Sequence, residues 1–166
     1  MDFKHALQKL EESKDFKKWK KSNSHVYFSH AFKIPQEMPD NEWHLGFYNK
    51  KNDKITTFMV NGETQTRQED EVFKKDEKAI SEVDIKKIKV TIEEALEKAK
   101  EFQQLNYPKE MPIKTIAILQ NIKPHGNIWN LTYITQAFNT LNMKIDASTG
   151  KILDHNHSSI FSFRKE

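Results

Sequence analysis

Two stretches of the chain carry apolar residues at helical spacing. Phe3, Leu7 and Leu10 fall on one face behind Asp2, a capping side chain, and the pattern predicts a helix running through Phe16 and Trp19 and stopping before Asn23-Ser24. Ile92, Ala95, Leu96, Ala99 and Phe102 form a second stripe, and Thr91 with Glu94 has the spacing of a capping box. Between and after these stretches the apolar residues alternate with period two. In Val26-Tyr-Phe28-Ser-His30-Ala-Phe32-Lys-Ile34 the even positions are apolar apart from His30, and Pro35 ends the run, as in a strand with one face on a core. The same alternation predicts strands through Trp43, Leu45 and Phe47, across Ile113 to Ile122, through Trp129, Leu131 and Tyr133, and through Leu141, Met143 and Ile145.

These elements recur in one order. Phe3 to Leu10 aligns with Ile92 to Ala99, Trp43-His-Leu45-Gly-Phe47 with Trp129-Asn-Leu131-Thr-Tyr133, and the turn Asn52-Asp53-Lys54-Ile55 with Thr149-Gly150-Lys151-Ile152. The expectation is an α+β protein of two tandem helix-on-antiparallel-sheet units, residues 1–62 and 81–166. Each unit would have its own thin core, centred on Trp43 and Trp129 beneath their respective helices. Residues 63–80, rich in Glu, Gln, Asp and Lys with few apolar residues, read as a charged linker that Val72-Phe73 could anchor.

Thr91 to Ala99 with Ala95 and Leu96, the Trp129 strand, and Lys144-Ile-Asp146-Ala-Ser-Thr149-Gly150-Lys-Ile152 together resemble the PepSY domain family. That family's pattern is a helix with an early Ala, a tryptophan strand, and a strand ending in a VDA-x-TG-x-V turn. The resemblance covers residues 85–155 and, with fewer matches, 2–60, where Asn52-Asp53 stands in place of Thr-Gly. It implies a non-catalytic binding, regulatory or inhibitory module and brings no catalytic residues. The turn has a reading of its own: Asp146 can accept from backbone N–H groups, and Gly150 can supply positive φ before the return strand.

Composition changes the picture mainly by exclusion. The chain has 166 residues, 36% hydrophobic and 31% charged, and its 18 aromatics argue against disorder. Zero cysteines remove disulfides, thiolate metal sites and cysteine nucleophiles. A net charge of +3 is too small for a general nucleic-acid coat. Charges interrupt the first residues, so no signal peptide is expected there, and no run of about 18 apolar residues offers a membrane span. The chain therefore reads as cytoplasmic. Elbow, zinc-peptidase, P-loop and dinucleotide signatures are missing, and four glycines leave no phosphate-cradling loop.

The remaining candidate chemistry is local. His155 and His157 share one face of an extended segment and would begin a metal site if Asp146 or His125 came near, against the plainer reading of a polar strand end. His30 reads as a core histidine with a hydrogen-bond partner, and His25 and His44 as exposed. Lys17-Lys18-Trp19-Lys20-Lys21 interleaves an indole with four cations, a pattern that can stack on bases, but Trp19 is better used covering the sheet and arginine is almost absent. The sequence thus points to a protein or peptide partner, with no cofactor, and argues against nucleic acid. The alternative is a small-molecule site in a pocket between helix and sheet.

Overall fold

The structure is a computed structural model that describes residues 1–62, 65–71 and 80–164. Helices α1 (Phe3–Glu12) and α2 (Lys14–Ser22) lead into strands β1 (Val26–Lys33), β2 (Trp43–Asn49), β3 (Lys54–Val60) and β4 (Gln65–Glu71). Helix α3 (Ile92–Asn106) leads into β5 (Pro112–Ile122), β6 (Gly126–Thr135), β7 (Asn139–Asp146) and β8 (Ile152–Ser159). Val72-Phe73 lies outside the described residues, and β4 falls within the stretch read as a linker.

The expected pair of separate helix-on-sheet units is corrected by the sheet itself. All eight strands form one antiparallel sheet in the order β4-β3-β2-β1-β5-β6-β7-β8. The seam is β1 against β5, where Ala31 pairs with Leu119 and Lys33 with Ala117. With no gap there, the apolar faces on either side merge into one core. Trp43 and Trp129, 1% and 0% exposed, lie 6.3 Å apart in it, and Phe3 of α1 meets both edge-on at 6.2 and 6.0 Å. A second aromatic group, in which Phe16 and Trp19 of α2 meet Phe47 and Phe58, extends the same layer.

Local signals explain the helices. Asp2 accepts from His5 N at 2.8 Å, and Thr91 and Glu94 exchange both bonds of a capping box. The single first helix expected from periodicity is divided at Ser13, whose hydroxyl donates to Leu10 O at 2.7 Å and accepts from Phe16 N at 3.2 Å. One serine thereby closes α1 and caps α2. The two indoles make equivalent bonds: Trp43 Nε1 donates to Met1 O at 2.8 Å and Trp129 Nε1 to Val90 O at 2.9 Å, each to the carbonyl just ahead of a helix cap.

β1 departs most from its predicted form. A bulge between Phe28 and His30 inserts Ser29, so Phe28 pairs with Phe47 but His30 with Gly46. One extra residue reverses the facing of everything after it. Ala31 and Lys33 turn to the core, while His30 and Phe32 turn to the sheet face opposite the helices, against the expectation of a core histidine and a core Phe32. Past the bulge, Ser81 bridges Asn121 and Val83 N donates to Phe28 O at 3.0 Å, so the segment leading to α3 fills the space where β1 and β5 part.

Candidate functional site

The bulge builds a cleft on the helix-free face. Ser29 and His30 from β1, Ile55 from β3, Ile80 and Ser81, and Gln120 to Lys123 at the end of β5 line a half-open cavity of about 500 Å3. Beneath His30 the β2 backbone has no side chain. A Cβ on Gly46 would fall 2.0 Å from the imidazole Cε1, so the ring occupies space that only glycine leaves open.

The imidazole's state follows from its neighbours. Ser29 Oγ donates to Gly46 O at 3.1 Å and lies 3.0 Å from His30 Nδ1. Both contacts are satisfied together only if Nδ1–H donates to Ser29, because the hydroxyl has one proton and a carbonyl can only accept. Nε2 is then a lone-pair acceptor, and it has no protein partner among the described residues. Burial, helped by the neighbouring His44, lowers the His30 pKa to about 4, which keeps the ring neutral at pH 7. The Ser29–His30 contact is not a nucleophile–base pair: Ser29 is 2% exposed and its proton is directed to the β2 backbone.

His155 and His157 do lie together, on the helix side of β8, but each faces a protein partner. Tyr107 Oη is 2.9 Å from His155 Nδ1, and His157 Nε2 is 3.0 Å from Glu110 Oε1. Hydrogen bonding from Thr135 outweighs burial and, with Asn139 and His157, holds the Glu110 carboxyl below its ordinary value. Asp146 lies beyond Met143, the partner of His155, and its carboxylate accepts from Ser148 N at 2.8 Å and Thr149 N at 2.9 Å. Burial of Asp146 raises its pKa, but these donors prevail and the net direction is down. Gly150 follows with φ +77°. Among the described residues no group of three or more His, Cys, Asp or Glu side chains is placed to hold a metal ion.

The other singled-out residues are structural in position. Leu45, Phe47, Ala95, Leu131 and Tyr133 are buried with the tryptophans, and Leu96 packs partly buried against them. Trp19 is 7% exposed among Phe16, Phe47 and Phe58, so the Lys17–Lys21 cluster has no indole free to stack on a base. Where Phe3 and Trp43 meet the segment before α3, a gap of about 80 Å3 remains, lined also by Ile88 and Ile92. Sequence reasoning missed Lys33. Turned inward by the bulge and 6% exposed, its ammonium donates to the carbonyls of Pro39 (3.2 Å), Asp40 (2.7 Å) and Glu42 (3.0 Å) and sits 5.1 Å over the Trp43 ring. It also missed the cleft, whose one sequence signal was a glycine, Gly46, inside a strand otherwise rich in large residues.

No helix among the described residues is long and apolar enough to cross a membrane. No protein-family model matches the chain, and no curated protein does. Among solved structures, it is similar to a "putative lipoprotein" from Clostridium difficile 630, with a TM-score of 0.53 and 12% identity over 87% of this chain and 90% of that one. At that identity the likeness is one of fold alone.

Proposed function

We propose that the protein is a non-catalytic binding module that takes an extended segment of a protein or peptide along the free edge of β8. The carrying observation is topological. Among the described residues β8 ends the sheet order and pairs on one side alone, with β7, so its outward N–H and C=O groups form a template for an added strand. Side chains along that edge suit the role. Tyr107, His155 and His157 offer polar ring edges on the helix side, and at the Ser159 end Phe138 and Phe161, 60% and 59% exposed with centroids 6.1 Å apart, offer an apolar anchor. The resemblance of residues 85–155 to PepSY domains agrees with a module of this kind. The reading needs no cofactor and gives no role to nucleic acid, since Trp19 is committed to the core.

Selection from a random peptide display library, followed by NMR mapping of a recovered peptide, tests this. Binding should shift the amide resonances of Ile152–Ser159 and Phe138, and N-methylation of alternate peptide amides should abolish it. Failure to enrich any peptide, or shifts confined to the helices, would refute edge addition.

A further inference from the structure

The cleft over Gly46 is independent of the β8 edge and shares no residue with it. Its walls divide by chemistry. Ile55, Ile80 and Ile122 are apolar; Ser29, Ser81, Gln120 and Asn121 are neutral and polar; among the described lining residues Lys123 is the one formal charge. Some of the polar groups are already committed: Ser29 to Gly46 O and His30, and the Asn121 amide to Glu82 O at 2.7 Å. His30 Nε2 is an acceptor with no protein partner among the described residues, seated on a backbone that has no side chain to displace it. A volume near 500 Å3 is within the usual range for small-molecule sites.

We propose that this cleft binds a small organic acid whose apolar body lies against the three isoleucines, whose O–H or N–H donates to His30 Nε2, and whose carboxylate faces Lys123. Each part answers one feature of the walls. A neutral imidazole with Nδ1–H bound to Ser29 accepts and cannot donate through Nε2, so the ligand must bring the proton. Lys123 at the mouth, the one charge among the described lining residues, favours an anion there over a cation. An apolar body is required because the isoleucine walls have nothing to offer a polar one.

Indole-3-acetate is a suitable probe, carrying an N–H, a bicyclic apolar body and a carboxylate. Two relatives each lack one feature: 1-naphthaleneacetate the N–H, and 3-methylindole the carboxylate. On the full chain, titration followed by NMR and calorimetry should show indole-3-acetate moving the resonances of His30, Gln120 and Ile122. Each relative should bind about tenfold more weakly, the worth of one hydrogen bond to a charged or buried group. Lys123→Gln, at an exposed turn, should weaken the two acids about tenfold and leave 3-methylindole unchanged. His30→Leu should erase the difference between indole-3-acetate and 1-naphthaleneacetate. If that variant does not fold, the wild-type probe series and Lys123→Gln decide the matter. No perturbation by any probe at about millimolar concentration, equal affinities for all three, or shifts that map away from the cleft would overturn the proposal.

Discussion

His30 shows what one inserted residue does. Its imidazole rests on Gly46 and its Nδ1 on Ser29, and burial beside His44 lowers its pKa to about 4. The unfolded imidazole has a pKa near 6.5, so acid favours the unfolded chain. The stabilisation is complete above about pH 6.5 and is lost as the pH falls toward 4, amounting to about 3 kcal/mol at most. An imidazole NMR titration should place His30 near 4; a midpoint above 6 would show the ring to be solvated. The lowered carboxyls of Asp146 and Glu110 act in the same direction at still lower pH, below their unfolded values. Gly46→Ala puts a methyl group into the ring's space and should cost about 1–3 kcal/mol by overpacking, read as a lower melting temperature together with a His30 pKa moved back toward 6.5. The Asp146 turn was legible in the sequence because all its bonds run within a few residues. The state of His30 was not, because apolar period alone carries no sign of a bulge.

Among the elements, those set by neighbouring residues were readable and those set by distant ones were not. The capping box of α3 and the alternation of β2, β5, β6 and β7 are written locally. The break at Ser13 was also available, since a serine between Leu10 and Phe16 can cap a new helix, but a continuous apolar stripe hid it. Gln65–Glu71 offered no apolar alternation, yet it forms β4 against β3, as an edge strand can while remaining polar. The inward face of the second half of β1 likewise depended on the bulge, and with it the burial of Lys33. Lys33→Met should cost about 1–3 kcal/mol, because three loop carbonyls lose a cationic donor. Limited proteolysis should then cut the 34–42 loop sooner, while an unchanged digestion pattern would mean that the loop holds without the ammonium. Trp129→Ala should cost about 3–5 kcal/mol, and since Trp43 is 6.3 Å away the double Trp43→Ala, Trp129→Ala variant should deviate from additivity. Strict additivity would place the two indoles in separate environments.

For the whole molecule, the pairing of β1 with β5 decides the rest. It joins two meanders into one sheet, brings Trp43 and Trp129 into one core, and places Ser29 and His30 beside Gln120 and Ile122 to make the cleft. Periodicity reports which face of a strand is apolar and leaves open which edge meets which, so the matched order of helix, tryptophan strand and turn suggested two small cores where there is one. The free edge of β8 follows from the same order, since a sheet with this seam ends at β4 and β8. Native-state hydrogen exchange across the seam tests the arrangement most directly. The hydrogen-bonded amides of β1 and β5 between Ala31–Lys33 and Ala117–Leu119 should be protected as strongly as those of β6, exchanging only through global unfolding. Weak protection at the seam, with strong protection surviving separately in β2 and β6, would contradict a single sheet.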